Sequence, residues 1–189
     1  MFTTELEKLI PEMRGYARML CGGRDLADDI VQNACLKAWN ARKAFDPHKG
    51  SLKAWVFTIT RNEFLQHLRK QKRVETYAPS DLENWVVEDC QMNNRAAFSE
   101  AIGALFTLST EQRDVFILVI AAGYSYEEAA AICKCSVGTI KSRINRARAK
   151  LVALLESQEQ SVSGSEKLER FHSMRDLLCH VDKLVKKAA

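Results

Sequence analysis

Apolar residues recur at intervals of three and four over residues 137–151, which places all of them on one face of a single α-helix. They are Val137, Ile140, Ile144, Ala147 and Leu151. Over residues 134–150 there are six cations and no acid: Lys134, Lys141, Arg143, Arg146, Arg148 and Lys150. A surface that carries only positive charge is unfavourable unless it meets a polyanion. This stretch therefore predicts a helix that packs on a core with one face and offers cations with the other.

Two capping signals place this helix in a helix-turn-helix motif. Ser125 with Glu128 forms a capping box that starts a short alanine-rich helix, and Ser136 can cap the cationic helix. A second capping box, Ser109 with Gln112, starts a helix before them. A cationic helix presented in this way can lie in the major groove of DNA, where its side chains reach phosphates and guanine edges. The pattern predicts a DNA-binding module.

The chain contains few turn-forming residues: 8 Gly and 3 Pro among 189 residues, about half the usual share. A sandwich or barrel needs many tight turns, so this composition argues against both. Apolar residues make up 47% and charged residues 28%, which is ordinary for a chain that folds around a core. The predicted fold is all-α.

Charge changes sign along the chain. Residues 1–80 carry 14 Lys and Arg against 9 Asp and Glu, whereas residues 81–100 carry 1 against 5. The break Ala78-Pro79-Ser80 precedes the acidic stretch. We therefore predict two small basic helical domains, at residues 1–75 and 98–156, joined by a flexible acidic linker at residues 76–97.

A C-terminal helical extension is predicted within residues 157–189. A polar linker, SQEQSVSGS, precedes a helical pattern. Its apolar stripe is Leu168, Phe171, Leu178, Val181 and Val185. This helix either packs on its own domain or acts as a regulatory helix that docks in trans or on the first domain.

Three helices are predicted in the first domain. They run from a Thr4–Glu7 capping box to Gly22-Gly23, from Asp25 to about Arg42, and onward from a cap at Ser51. The stripes expected to be buried are Leu6, Leu9, Met13 and Leu20 in the first helix, Leu26, Ile30, Leu36 and Ala38 in the second, and Leu52, Trp55, Val56 and Ile59 in the third.

Two surfaces of this domain allow a structural and a functional interpretation. The polar face of the second helix consists of Asp28, Asp29, Gln32 and Asn33, and acids near a helix N-terminus are also favoured by the helix dipole alone. In the third helix, Trp55 and Phe57 supply stacking surface, and Arg61 and Asn62 supply phosphate and amide chemistry. The spacing of Trp55 favours a core position.

Several classes of protein are excluded. The longest uncharged apolar stretch, Val115–Tyr126, holds twelve residues, too few to cross a bilayer, and the first twenty residues lack an export signal. We expect a cytoplasmic protein without a membrane span, whose six cysteines are thiols. No catalytic motif occurs, which predicts no enzyme, no cofactor and no small-molecule substrate.

A metal site is also not expected. Cys133 and Cys135 are separated by one residue, whereas a zinc clip needs two to four. Further ligands would have to come from the tail, from His172, Cys179 or His180. We expect Cys133 to pack the turn beneath the cationic helix and Cys135 to form part of that turn.

Two groups of motifs resemble an extracytoplasmic-function RNA polymerase sigma factor: ADDIVQNACLKAWN with KAWVFTITRN, and SYEEAAAICKCSVGTIKSRINRARAKL. The resemblance covers about residues 5–156, as sigma region 2 followed by sigma region 4. The stretches LKAWVFTITRNEF and AAAICKCSVGTIKSRINRAR are most similar to the alphaproteobacterial general-stress-response subgroup.

The resemblance implies roles for the first domain. In the family, the helix matching residues 26–42 docks on the clamp helices of the largest subunit of core RNA polymerase, which assigns Asp28, Asp29, Gln32 and Asn33 to that contact. The promoter-opening loop matches Phe45–Ser51. With the helix that follows, it assigns Phe45, His48, Lys49, Ser51, Lys53, Trp55, Arg61 and Asn62 to the −10 element. His48 and Lys49 are not fixed in the family, so they do not reveal the preferred base.

The resemblance assigns the helix-turn-helix to the −35 element. The residues expected to face bases or adjacent phosphates are Gly138, Thr139, Ser142, Arg143 and Arg146. Arg148 and Lys150 should mainly hold the DNA backbone, and Lys141 could do either. The subgroup further implies an anti-sigma factor that clamps both domains and is itself sequestered by a response regulator with a sigma-like domain.

Three other functions compete with this interpretation. A sigma-like decoy would bind an anti-sigma factor but not DNA, and would be expected to lack the cationic face and to carry a receiver domain. A free-standing helix-turn-helix repressor would bind DNA alone, usually as a dimer. A zinc-dependent redox sensor would use Cys133 and Cys135.

Overall fold

A computed structural model describes residues 2–74 and 103–159. All regular structure in these two ranges is helical, which confirms the all-α prediction. The chain divides into two compact units, at residues 1–86 and 87–189. The predicted linker at 76–97 and the tail beyond residue 159 lie outside the described residues.

Over residues 2–74, the first unit is a bundle of three helices and one short helical turn. They are α1 (Phe2–Cys21), α2 (Arg24–Asn40), a 3₁₀ turn (Arg42–Ala44) and α3 (Leu52–Val74). The three helices pack on one another around fully buried large side chains: Met13, Tyr16, Leu20, Phe57 and Phe64. Tyr16 and Phe57 meet with ring centroids 5.1 Å apart, so α1 and α3 share one core.

The ends of these helices follow local chemistry with one exception. Gly22 ends α1 with a φ of +83°, a conformation that favours glycine, and its N–H donates to the Arg18 carbonyl over 2.8 Å. Ser51 caps α3 as predicted, since its Oγ accepts from the Ala54 N–H over 3.1 Å. The predicted cap at Thr4 is wrong, because α1 already begins at Phe2. Phe2 packs on aromatic rings of α2 and α3, and this tertiary contact extends the helix past its local signal.

Some residues of α2 and α3 that the spacing predicts to be buried are exposed or half-buried in the structure. Leu36 was placed in the buried stripe of α2 but is 57% exposed, whereas Val31 and Ala34 are buried. On α3 the core residues include Phe57, and Trp55 is only half-buried. A helix surface carries several overlapping stripes three and four residues apart, and α2 has apolar residues on two of them. Contact with the neighbouring helices selects the one that is buried.

Ion pairs join each pair of helices at the surface of the first unit. Arg14 Nε of α1 lies 3.2 Å from Asp28 Oδ1 of α2, and Lys37 Nζ of α2 lies 2.5 Å from Glu63 Oε1 of α3. Glu12 of α1 pairs with Lys53 of α3 over 2.6 Å. Exposed pairs of this kind contribute about 0–1 kcal/mol each, so the apolar core provides most of the stability.

The second unit contains the predicted helix-turn-helix. A helix over residues 103–106 precedes α4 (Thr110–Phe116), which continues through a π turn (Ile117–Ala121), and α5 (Tyr126–Cys133) and α6 (Val137–Glu159) follow. The capping boxes of α4 and α5 are both present. Ser136 caps α6, because its Oγ accepts from the Thr139 N–H over 3.2 Å. Since α6 extends to Glu159, a polar linker that begins at residue 157 is wrong for its first three residues.

The turn between α5 and α6 has the predicted construction. Cys133 is buried at the end of α5, with its Sγ 3.8 Å from Asp114 Oδ2 of α4. Lys134 ends α5 in the left-handed conformation at φ +53°, and the Cys135 N–H donates to the Ala130 carbonyl. This geometry turns the chain sharply between the two helices of the motif.

We expect Lys134→Gly to stabilise the second unit by about 0.5–1 kcal/mol, because glycine adopts the left-handed conformation without the steric cost that a side chain incurs. The midpoint of thermal unfolding, followed by circular dichroism, should rise. Lys134→Ala is the matched control, since alanine keeps the Cβ and should leave the midpoint nearly unchanged. Equal midpoints for both variants would contradict this account.

Candidate nucleic-acid interface and apolar groove

Helix α6 separates its apolar and cationic faces as the sequence predicts. Ile140, Ile144, Ala147 and Leu151 have no exposed surface. Lys141, Arg146 and Lys150 are exposed, and Arg143 and Arg148 are half-buried. Because α4 and α5 pack on the apolar face, the cationic face points away from the core of the unit.

The start of α6 is narrow and polar. Gly138 is exposed, and a Cβ there would meet only the Ser136 Oγ, 3.8 Å away. Thr139 Oγ1 lies 2.9 Å from Ser136 Oγ, so its hydroxyl serves the cap and is half-buried. A helix start without bulky side chains can approach the floor of a DNA groove closely.

Arg146 and Lys150 of α6 each donate a hydrogen bond within the unit. Arg146 Nη2 donates to Ser142 Oγ over 2.6 Å, which holds the guanidinium along the exposed face. Lys150 Nζ donates to the Thr107 carbonyl oxygen, 43 residues earlier in the chain. Lys150 therefore ties α6 to the segment before α4, a structural contact that the sequence did not reveal.

In the first unit, the loop between the 3₁₀ turn and α3 is organised by Asp46. Its Oδ1 accepts from the His48 N–H over 3.0 Å, and its carbonyl accepts from the Lys49 N–H over 3.0 Å. The Lys49 ammonium lies 3.6 Å from Asp46 Oδ2. His48, Lys49 and Ser51 are exposed on this turn, so Asp46 is a positioning residue that the sequence analysis did not single out.

The other residues assigned to the −10 element differ in exposure. Phe45 packs on Trp55 with ring centroids 5.4 Å apart, and both rings are half-buried. Asn62 is also half-buried, whereas Arg61 is only 9% exposed and can present no more than an edge to a ligand. Phe57, which the sequence offered as stacking surface, is 1% exposed and belongs to the core.

An apolar groove runs between α1 and α2 on the same unit. Its volume is about 530 Å³. The lining residues are Leu6, Ile10, Arg14, Asp28, Val31, Gln32, Cys35, Leu36 and Trp39. Leu36 and Trp39 are large apolar side chains left 57% and 43% exposed. Exposed apolar surface bordered by polar groups is typical of a protein docking site.

The groove includes only part of the predicted polymerase contact. Asp28 and Gln32 lie in its wall, whereas Asp29 and Asn33 are exposed beside it on α2. The exposure of Leu36 was not predicted, because its spacing assigned it to the core. The spacing of 28, 32, 35 and 39 was the signal that could have revealed a second stripe on α2.

Cys35 in the groove wall is a thiol with altered acidity. Burial raises its pKa, because the thiolate is disfavoured away from water, and the Arg14 guanidinium opposes this effect to a smaller extent. The thiol is therefore neutral at physiological pH, and the groove presents a largely apolar wall. Cys21, Cys35, Cys133 and Cys135 are free thiols.

Together these features describe a protein that combines a helix-turn-helix with a second helical domain bearing an exposed apolar groove. The family model for sigma-70 region 2 matches residues 6–74, and the model for sigma-70 region 4 matches residues 100–151. The chain therefore belongs to the sigma-70 family, as an extracytoplasmic-function RNA polymerase sigma factor. The predicted family is confirmed.

Relatives with known roles support this placement. The sigma factor EcfG of Rhodopseudomonas palustris is 44% identical over 146 residues, which cover 77% of this chain and 80% of the relative. The sigma factor CnrH of Cupriavidus metallidurans is 34% identical over 145 residues, with 70% and 75% covered. The similarity to EcfG supports the subgroup that the motifs indicated.

The solved structures that resemble the chain include two sigma factors, each determined with a partner. The sigma factor RpoE of Bartonella quintana, crystallised with the anti-sigma factor NepR, superposes with a TM-score of 0.74 at 40% identity and covers 82% of this chain and 96% of its own. CnrH in complex with the cytosolic domain of CnrY gives a TM-score of 0.61 at 29% identity, with 82% and 88% covered.

Two further observations bear on the excluded classes. Over residues 2–74 and 103–159, no helix is both long and apolar enough to cross a bilayer. Within the same ranges, no three His, Cys, Asp or Glu side chains are grouped as a metal site. His172, Cys179 and His180, the possible partners of a zinc site at Cys133, lie outside the described residues.

Proposed function

We propose that this sigma factor docks on core RNA polymerase through the groove between α1 and α2, and that α6 and the loop Phe45–Ser51 then engage the −35 and −10 elements. The observation that carries the proposal is the presence in one chain of two unlike surfaces, an exposed apolar groove and a cationic helix face without acids. A repressor that acts alone needs only the second surface. A polymerase-dependent factor needs both.

The proposed polymerase contact combines the groove with the assigned polar residues. Leu36 and Trp39 would supply apolar area, and Asp28 and Gln32 would supply polar contacts at its edge. Asp29 and Asn33 are exposed on the same helix, where they can meet the clamp helices of the largest polymerase subunit beside the groove. Apolar anchors bordered by polar groups form the usual energetic centre of an interface.

The proposed −10 contact is capture of an unpaired base by the loop Phe45–Ser51. Removing a base from the duplex costs a few kcal/mol, which stacking and hydrogen bonds to the extruded base can offset. His48, Lys49 and Ser51 are exposed around the Asp46 turn, and Lys53 and Asn62 lie on the helix that follows. Arg61 is nearly buried, and we assign it to shaping that surface.

The proposed −35 contact divides α6 into two parts. Gly138, Thr139 and Ser142 allow close approach, and the cations near them, Lys141, Arg143 and Arg146, reach base edges or adjacent phosphates. Arg148 and Lys150, one to two turns further on, hold the DNA backbone. The domain boundaries at residues 1–75 and 98–156 belong to this proposal, and the family matches fall inside them.

We also propose control by an anti-sigma factor. The two structural neighbours were each solved with a partner, NepR described as an anti-sigma factor and the cytosolic domain of CnrY. Because the groove is exposed in the free unit, a partner that covers Leu36 and Trp39 would compete directly with the polymerase. The protein would then act by regulated binding, without catalysing a bond change.

Run-off transcription with purified core polymerase on supercoiled and linear genomic templates tests the function. Discrete transcripts should appear only when the chain is present. A mobility-shift assay with and without core polymerase separates the alternatives, since a repressor shifts DNA alone and a decoy shifts it under neither condition. Failure to bind core polymerase, or failure to start any transcript, would overturn the proposal.

Core polymerase should protect Cys35 from alkylation if it occupies the groove. Alkylation proceeds through the thiolate, and the raised pKa of Cys35 makes this reaction slow at neutral pH and faster as pH rises. We expect the modification rate to fall at least about tenfold on addition of core polymerase, as measured by mass spectrometry of the peptides. Cys21, outside the groove lining, provides an internal control. Equal rates with and without polymerase would place the contact elsewhere.

A further inference from the structure

Five side chains of the first unit form a continuous series of contacts that we call the aromatic chain. Arg42 Cζ lies 4.3 Å from the centroid of the Trp39 ring, and Arg42 Nη1 donates to the Trp39 carbonyl oxygen over 2.8 Å. The Phe2 ring centroid lies 6.5 Å from that of Trp39 and 6.4 Å from that of Trp55. Phe45 lies 5.4 Å from Trp55. These separations fall in the range in which tilted and edge-on ring pairs attract one another.

The two ends of the aromatic chain lie in different functional surfaces. Trp39 lines the apolar groove and leaves 43% of its surface exposed. Phe45 follows the 3₁₀ turn and begins the loop proposed to capture a base. Phe2, on α1, contacts both Trp39 of α2 and Trp55 of α3. A side chain outside both proposed binding surfaces thus links them.

We propose that Phe2 and Trp39 are positioning residues for promoter opening. They brace Trp55, and through it Phe45, in the arrangement from which the loop captures its base. Polymerase that packs on the exposed part of Trp39 restricts the motion of this indole, and Phe2 passes the restraint to Trp55. The inference rests on the proposed groove and −10 loop, and adds a physical link between polymerase binding and DNA opening.

The geometry separates this role from general support of the fold. Phe2 is half-buried, and it lies in the first turn of α1, away from the fully buried Met13, Tyr16 and Phe64. It is not among the residues that line the groove. Truncation of Phe2 should therefore leave the folded core and the docking surface in place, while Trp55 loses one of the two ring neighbours that it has among the described residues.

The test compares two templates that differ only in the state of the DNA. Full-length Phe2→Ala protein is combined with core polymerase on a linear duplex promoter that run-off transcription has identified. The second template carries the same promoter with a mismatched, pre-opened bubble at the −10 element. We expect initiation on duplex DNA to fall about five- to tenfold, the effect of losing two aromatic contacts. Initiation on the bubble template and affinity for core polymerase should stay within about twofold of wild type.

Two matched variants complete the design. Phe2→Tyr retains the ring and should restore initiation on duplex DNA. Leu9→Ala removes a half-buried apolar side chain from α1, two turns from Phe2, and should leave both templates unaffected. A role limited to structural support would lower initiation on both templates together. The reactivity of thymines in the −10 element toward permanganate measures DNA opening directly.

The possible outcomes distinguish failure of the aromatic chain as a coupling element from failure of the proposed function. Wild-type rates for Phe2→Ala on duplex DNA, equal losses on both templates, or a loss of affinity for core polymerase would each overturn the aromatic chain as a coupling element. Each of these results would leave the proposed function intact. If wild-type protein itself fails to initiate with core polymerase, the proposed function falls, and this inference falls with it.

Discussion

Leu36→Asp should lower the affinity of the chain for core RNA polymerase by about a hundredfold or more. Leu36 is 57% exposed in the groove wall, so the substitution should change folding little. In the complex, the variant loses about 1.5–3 kcal/mol of apolar burial and must also desolvate a carboxylate. A titration of labelled chain with core polymerase measures the change in Kd, and circular dichroism verifies the fold.

Leu36→Met is the matched control for this prediction, because it keeps an apolar side chain of similar volume at the same position. Its Kd should remain within a few-fold of wild type. If Leu36→Asp binds core polymerase with wild-type affinity, the groove is not the docking surface. The exposed polar side chains of α2 outside the groove, Asp29 and Asn33, would then be the next candidates.

Arg143→Ala should relax the choice of −35 sequence. An arginine that reaches the O6 and N7 of a guanine contributes about 1–3 kcal/mol of discrimination, so the preference for matched over mismatched sites should fall roughly tenfold to a hundredfold. Binding of holoenzyme to promoter fragments with single changes in the −35 element measures this preference. Ser142 and Arg146, which are hydrogen-bonded to each other, should remain in place in the variant.

Lys150→Ala provides the contrast to Arg143→Ala. A phosphate contact carries no sequence information, so affinity for all promoters should fall to a similar degree. The slope of log affinity against log salt concentration should become smaller by about one. Because Lys150 also donates to the Thr107 carbonyl, the thermal midpoint of the variant must be measured alongside. If each variant loses the same affinity on matched and mismatched −35 sequences, the proposed division of α6 into a part that reads bases and a part that holds the DNA backbone is wrong.

The helix-turn-helix was predictable from the sequence almost residue by residue. The capping boxes at Ser109 and Ser125 and the cap at Ser136 all occur where the pattern placed them. These are interactions between residues three apart, and they need no partner from elsewhere in the chain. The buried stripe from Ile140 to Leu151 was equally clear, because a run of cations occupies the rest of that helix.

The first unit was less predictable because its helices carry more than one apolar stripe. On α2, Val31 and Leu36 are both branched apolar residues that line the groove, but Val31 is 3% exposed and Leu36 is 57% exposed. On α3, Phe57 is buried in the core and Trp55 is only half-buried. Asp28 and Gln32, which the resemblance assigns to the polymerase contact, both line the groove, whereas Leu36 and Trp39 beside them were not predicted as part of an exposed surface.

Residues within one or two helical turns of one another specify the helical class, the caps at Ser51, Ser109, Ser125 and Ser136 and the cationic face of α6, so these features were predictable from the sequence. The exposed apolar side chains, the contacts of Phe2 with α2 and α3, and the position of the groove arise from the packing of the helices. Burial depends on neighbours that distant segments of the chain bring together, and packing within the first unit buries Val31 but leaves Leu36 and Trp39 exposed on the same helix.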